Sequence, residues 1–331
     1  MVRLILVILA VSRASALNIC ITGTNSGIGK SAATMLTSKG HTVYHACRTA
    51  AGAEAAVKSS GGGVPMVCDL SDLASVRAFA QEMAGKELDV LCLNSGVSPS
   101  RKAEDAKRTK DGFEETIGIN HLGHFLLAQL MQPQLASASG GGRLVVTASG
   151  VHDPESPGGL VQGDARTGAT LGDLSGLRSG AMIDGGDFNG AKAYHDSKLC
   201  NVLFTREAHK RWGSGGGGLS VQSFNPGLIT DTGLFRAARA DNAFGTAVFS
   251  FVATNLAGFS QPVEVGGERL AYMATASDEE VSSGSYFSAP SATSKASTRA
   301  DGFDDAPVSK EAQDEALAAK LWEASMEAVG L

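Results

Sequence analysis

The chain has little of what marks a disulfide-stapled, fibrous, membrane-spanning or nucleic-acid-binding protein. Its five cysteines, Cys20, Cys47, Cys68, Cys92 and Cys200, form no CxxC pair and lie mostly inside apolar runs. That pattern reads as buried thiols and excludes a disulfide framework or a zinc site. Charged residues make up only 19%, with a net charge of −6 and no basic stripe, so nucleic acid is excluded as a main partner. No stretch approaches the about 20 apolar residues of a membrane span. Glycine is abundant, 41 of 331, but without the G-X-Y period of collagen, and no internal repeat is visible. What remains is 43% hydrophobic and 331 residues long, enough for one large core.

The first 16 residues read as a separate piece. Arg3, the apolar run Leu4–Val11 and the small-residue end Ser12-Arg13-Ala14-Ser15-Ala16 have the order of a secretory signal peptide cut after Ala16. A membrane anchor is the weaker reading, because the run is too short. The first strand is expected to begin at Leu17, with no second targeting segment before it.

Short apolar runs then alternate with helical patterns. Leu17–Thr22, Thr42–Ala46, Val64–Cys68, Leu88–Leu93, Arg143–Thr147 and Leu219–Phe224 are apolar at nearly every position, as buried parallel strands are. Ser71–Ala84, with Ser71 as cap, His121–Gln132, Lys192–Trp212 and Ser309–Val329 predict helices. Such alternation implies an α/β fold, a single Rossmann-type doubly wound parallel sheet of about seven strands with helices on both faces. Residues 17–331 are read as one domain. Inside it, the Gly-, Asp- and Ser-rich stretch 152–190 is too long for an ordinary connection and is read as a functional insertion, and the phenylalanine-bearing stretch 236–261 follows the sixth strand. Ser288–Asp305 is polar and expected to be mobile before the final helix.

Two groups of residues carry chemistry. Thr22-Gly23-Thr24-Asn25-Ser26-Gly27-Ile28-Gly29 follows the first strand and opens a helix, which suits a pyrophosphate at the helix N-terminus. Where an NAD site would place an acid, after the second strand, the chain has Arg48, which favours the 2′-phosphate of NADP over a bare ribose; a plain surface arginine is the alternative. Asp69-Leu70 and Asn94-Ser95-Gly96 end the third and fourth strands, the first pair to meet an adenine and the second to let the cofactor pass close. Tyr194 and Lys198, four residues apart, share a helix face, where the ammonium is expected to lower the phenol's pKa and to hold the nicotinamide ribose. Asn120 is expected to bend its helix and support a proton relay through water and Lys198. Ser149 is either a strand-end cap or a hydrogen-bond partner of substrate or Tyr194. His121 and His124 lack a third ligand at suitable spacing, so no metal is expected, and packing or pocket lining is left for them. His45 is read as structural.

Together these residues resemble the short-chain dehydrogenase/reductase superfamily. Leu171–Leu177, Met182–Tyr194, Thr232–Arg236 and the end Leu321–Leu331 are similar to the light-dependent protochlorophyllide oxidoreductase family. That resemblance implies NADPH as cofactor and light-driven reduction of the C17–C18 double bond of protochlorophyllide, a tetrapyrrole pigment, with Tyr194 as proton donor and Lys198, Asn120 and Ser149 beside it. It further implies Pro226, Gly227 and Thr230 at the cofactor, His121, Leu228, Phe235 and Tyr286 at the pigment, and a plastid location reached through the secretory-type leader. That the stretches 152–190 and 236–261 both cover a substrate, the second as a lid, is also what the family resemblance implies. The family usually has a cysteine after Pro-Gly at the end of the sixth strand; here Leu228 stands there and cannot donate a proton. Leu228, with the stretch Asn120–Leu127 shared with retinol-dehydrogenase-like members, supports an alternative. This is a light-independent NADPH-dependent reductase of a lipophilic aldehyde or ketone on the endoplasmic reticulum or secretory route. Peripheral membrane contact and oligomeric state are left open by the resemblance.

Overall fold

Runs that are apolar at every position need cover on both faces, and the computed structural model supplies it. It describes residues 16–100, 102–161, 163–213, 218–242, 260–289 and 302–331, the side chains of 235–238 excepted, so the leader lies outside the described residues. Strands β1 (Asn18–Thr22), β2 (Thr42–Cys47), β3 (Val64–Val67), β4 (Val90–Leu93), β5 (Arg143–Thr147) and β6 (Ser220–Asn225) stand where the apolar runs predict them. With β7 (Tyr286–Ser288) and β8 (Asp304–Asp305) they form one sheet in the order β3-β2-β1-β4-β5-β6-β7-β8, in which only β7 and β8 are antiparallel. The strand order reverses between β1 and β4, which opens a crevice at their carboxyl ends. The sheet has eight strands instead of about seven because the polar stretch before the final helix joins the sheet at both ends. Residues 290–301 between them lie outside the described residues.

Helices α1 (Gly27–Ser38), α2 (Ala50–Ser60), α3 (Leu73–Met83), α4 (His124–Ala136), α5 (Gly190–Ala208), α6 (Arg236–Asp241), α7 (Val263–Thr275) and α8 (Glu315–Val329) connect and cover the strands. Three boundaries differ from the sequence reading. Asp72, not Ser71, caps α3, accepting from the N–H groups of Ala74 and Ser75, while the Ser71 hydroxyl donates to Asp69. The stretch expected to start a helix at His121 begins instead as a π turn, Gly118–Gly123, which passes directly into α4. The last helix starts at Glu315 rather than Ser309, because Asp314 caps it after a separate 3-10 turn, Glu311–Gln313.

Two cores result. On one face Ile19, Ile21, Val43, Val145 and Phe224 pack under α1 and α7; on the other Leu91, Leu144 and Val146 pack under α3, α4, α5 and α8. The second core ends in an aromatic cluster. Trp322 of α8 lies edge-on to Phe125 at 5.2 Å and to Trp212 at 5.1 Å, and stacks on Phe204 at 5.8 Å. Burying rings of this size supplies a large share of the force that docks α8.

The insertion is built into this second core. Leu171, Leu174, Leu177 and Ile183 are buried in it. Its polar residues hold α5 from outside. Lys192 places its three donors on the Asp184 carboxylate at 2.9 Å, the Asp196 carboxylate at 2.7 Å and the Thr170 carbonyl at 2.7 Å. Asp196 also accepts the Thr170 N–H, and His195 bonds the Thr167 carbonyl. Burial pushes the Asp196 carboxyl up to about 7 against the pull of Lys192. Of the phenylalanine-bearing stretch 236–261, residues 243–259 lie outside the described residues, so its expected role as a lid rests on sequence.

Candidate active site

The crevice at the carboxyl ends of β1 and β4 is built first from glycines. Gly23 has φ +75°, and a Cβ there would come 2.5 Å from Ser95 Oγ. A Cβ on Gly29 would run into the Gly23 carbonyl and the Asn94 amide. Only glycine lets the loop fold this tightly between β1 and β4. Ser26, the cap of α1, is extended (φ −159°) and makes no side-chain bond to the helix, and the first turn has no acid. The first N–H groups of α1 thus stay available to an anion, at the positive end of the helix dipole. Asn25 and Ser26 are exposed in this loop, whereas Ile28 leans on α7, where a Cβ on Gly266 would meet it at 2.9 Å. Thr24 is buried and held by His45 Nδ1 at 3.1 Å; His45 Nε2–H in turn donates to the Gly62 carbonyl, so His45 is structural, as read from sequence.

Around this loop the other expected cofactor residues converge. Arg48 is exposed directly after β2 and, among the described residues, makes no hydrogen bond or ion pair. Asp69 is half-buried, with one carboxylate oxygen taken by the Ser71 N–H and hydroxyl, and Leu70 is buried beneath it. The backbone N–H groups of Asn94 and Ser95 both donate to Thr22 Oγ1, at 2.8 and 3.0 Å. Pro226 and Gly227 follow β6, and Arg269 of α7 donates to the Pro226 carbonyl at 2.8 Å. Thr230 is buried, its carbonyl taken by Arg239, and Thr232 packs 3.4 Å from where a Gly27 Cβ would be. Across the crevice Ser100 hydrogen-bonds Asp241 of α6. Arg269 escaped the sequence reading, since it acts through the backbone carbonyl of Pro226.

The reactive group stands on α5. Tyr194 is half-buried, with Lys198 Nζ 5.5 Å from its ring centre. The expected lowering of the phenol is not what the structure gives. Burial pushes Tyr194 up to about 12, and the Ser149 hydroxyl beside it offsets only part of this. Lys198 is itself pushed down to about 8 by burial and donates to the Thr147 carbonyl at 3.0 Å. The phenol is therefore protonated at neutral pH, the state a proton donor needs. Ser149 serves in both ways left open for it, capping the 3-10 turn Gly150–His152 and touching Tyr194. Asn120, fully buried, ties three segments: its Oδ1 accepts the Val97 N–H at 2.8 Å, and its amide donates to the Val97 carbonyl and to Ser197 Oγ. A Cβ on Gly96 would lie 3.4 Å from Asn120 Oδ1 and 3.8 Å from Lys198 Nζ, so the nucleotide loop and the proton-donor helix meet at this glycine.

Four residues expected at the acceptor fare differently. His121 is buried at 1% exposure, bonded to Ser325 of α8 and flanked by Phe125 and Phe204. Tyr286 is likewise buried, its ring edge-on to His152 at 4.9 Å. Leu228 is half-buried, its carbonyl accepting the Gln261 N–H at 2.8 Å. Phe235 ends a 3-10 turn, Gly233–Phe235, and its side chain is outside the described set. Among the described residues no three His, Cys, Asp or Glu side chains gather as a metal site, and no helix is long and apolar enough to cross a membrane.

Comparison with known proteins agrees with this geometry. Residues 17–161 match the short chain dehydrogenase family. The chain is 38% identical over 327 residues to the chloroplastic protochlorophyllide reductase of Pisum sativum, covering 95% of this chain and 78% of that one. It is 38% identical over 325 residues to its counterpart in Chlamydomonas reinhardtii, covering 94% and 77%. Among solved structures, an uncharacterised protein of Mycobacterium paratuberculosis superposes with a TM-score of 0.66 at 26% identity, over 95% of this chain and 93% of that one. With a relative this similar along nearly its whole length, the chain belongs to the protochlorophyllide reductase family of short-chain dehydrogenases.

Proposed function

We propose that the protein is an NADPH-dependent oxidoreductase that reduces the C17–C18 double bond of protochlorophyllide in a light-driven reaction, within a plastid. The observation that carries this reading is the meeting, at Gly96, of a glycine-built anion cradle with a half-buried, protonated phenol, in a chain 38% identical to a named protochlorophyllide reductase. The cradle suits the cofactor: the α1 N-terminus and the glycine loop receive the pyrophosphate, Arg48 the 2′-phosphate, Asp69 the adenine, and Lys198 the nicotinamide ribose. When bound, the reduced nicotinamide supplies the hydride for one carbon of the double bond. Tyr194 supplies the proton for the other, and together these add two hydrogens across it. Lys198 holds its charge against the Tyr194 ring, and Ser149 fixes the direction of the phenol. Asn120 holds Val97 against Ser197, so the β4 loop and α5 move as one body.

The test is a flash experiment on purified protein with NADPH and pigment in darkness. A shift in pigment absorbance that follows the flash, absent from the dark control, is the expected result; no shift overturns the reading. Leu228, which has no proton to give, favours the second reading, a dark NADPH-dependent reduction of a lipophilic aldehyde or ketone. NADPH consumption in darkness across a panel of such carbonyls would select it. The leader's role in reaching the plastid is part of the same proposal and is tested by following a fusion of residues 1–16 in cells.

A further inference from the structure

An unbroken run of hydrogen bonds leads from the nucleotide loop to the helix turn that carries Tyr194, and its middle member is a residue with no assigned role, His124. The run starts at the Asn94 and Ser95 N–H groups, which donate to Thr22 Oγ1. Thr22 Oγ1 lies 2.9 Å from His124 Nε2, and His124 Nδ1 lies 3.2 Å from the Asn120 carbonyl. The Asn120 amide donates to Ser197 Oγ at 3.0 Å, and Ser197 donates to the Tyr194 carbonyl at 2.7 Å. Thr22, Asn120, His124 and Ser197 are all buried, at 1%, 0%, 3% and 0% exposure.

The chemistry of the ends fixes the direction of every bond. A carbonyl only accepts, so His124 carries its proton on Nδ1 and gives it to Asn120. Burial drives the imidazolium down to about 3, so the ring is neutral and Nε2 keeps its lone pair. Nε2, at 2.9 Å, therefore accepts the Thr22 hydroxyl hydrogen in preference to the Cys92 carbonyl at 3.4 Å. The Thr22 oxygen is then left with two lone pairs, which the Asn94 and Ser95 N–H groups fill. Each member donates toward Tyr194, and reversing any one bond would strand a buried donor or acceptor. We infer that His124 is a positioning residue that sets the register between the nucleotide-binding loop at Asn94–Ser95 and the proton donor Tyr194.

This inference rests on the proposed roles of the loop and of Tyr194, and its test separates it from them. Two variants each cut one bond. His124→Asn places an amide donor near the Nδ1 position but has nothing at Nε2 to receive Thr22. His124→Gln places an acceptor near Nε2 but loses the donor to Asn120. The readouts are NADPH affinity, single-turnover rate after a flash with NADPH saturating, melting temperature, and the nitrogen NMR shifts of His124 in the wild type. His124→Asn is expected to weaken NADPH about tenfold, the worth of one buried bond, with a smaller loss in saturated turnover. His124→Gln is expected to bind NADPH nearly as wild type does and to turn over about tenfold more slowly. The NMR shifts are expected to report a neutral Nδ1–H tautomer across the neutral range. An Nε2–H tautomer overturns the inference, as does an equal drop in melting temperature for both variants with affinity and turnover unmoved. If the wild type turns over no pigment, the substrate assignment fails alone, because the NMR and NADPH affinities still decide for or against His124.

Discussion

The two ends of the crevice are built on different physical terms. The nucleotide end relies on backbone: absent Cβ atoms at Gly23 and Gly29, free N–H groups at the start of α1, and an unencumbered Arg48. The proton-donor end relies on buried side chains, with Tyr194, Lys198, Asn120 and the Lys192 cluster all held by partners from distant segments. Backbone-built sites lose function through added bulk. Side-chain-built sites lose it through one missing partner, and then lose stability as well.

Several substitutions would break or sharpen that contrast. The largest effect is expected for Tyr194→Phe, which removes the proton but keeps the ring: turnover should fall by about a hundred- to ten-thousandfold with NADPH affinity retained. Next is Lys192→Met, which strands the Asp184 and Asp196 carboxylates. Loss of one partner from a buried ion cluster costs about 3–5 kcal/mol, to be read from the urea midpoint. Gly29→Ala forces the loop away from Asn94 and should cost about 1–3 kcal/mol of stability together with NADPH affinity, by denaturation and nucleotide titration. Arg48→Ala should erode preference for NADPH over NADH by about tenfold without changing the melting temperature. The smallest change is expected for Leu228→Cys, less than about threefold in flash yield, since a half-exposed apolar exchange is usually worth within about 0.5 kcal/mol.

The pH profile offers a separate test of the proton-donor end. Tyr194 stays protonated until about 12, whereas Lys198 loses its charge as the pH passes about 8. Turnover should thus be flat through neutral pH and fall with an alkaline limb near 8 that disappears from the residual activity of Lys198→Arg. The stability contribution of Lys198 has the opposite sign. Between about 8 and 10.5 the unfolded chain holds this proton more tightly than the folded one, so that contribution rises with pH.

The contrast also explains what could be read from the amino-acid order. Buried parallel strands announce themselves by unbroken apolar runs, and the glycine loop by its spacing, so β1 to β6 and the cradle stand where expected. β7 and β8 did not announce themselves: three and two residues, one pair acidic, are too short for any period. The packing of the insertion is not legible in its composition, because Asp184 reads as surface until it is seen on Lys192 of α5, beside Asp196. His121 and Tyr286 show the converse: a family motif carries residue identity, but the burial of a residue on a π turn or on β7 is settled by the elements packed against it. The Tyr194 shift was judged with the wrong sign because the charge four residues away was visible and the burial was not.

Both tryptophans of the chain, Trp212 and Trp322, lie in the one aromatic cluster where α8 rests on α5. Their near-ultraviolet emission is therefore a local gauge. Anything that lifts the C-terminal helix will change its colour and yield, with the Arg211 guanidinium 4.7 Å from the Trp322 ring exchanged for water. Undocking of the tail can thus be followed optically, apart from events at the glycine loop, without attaching a label.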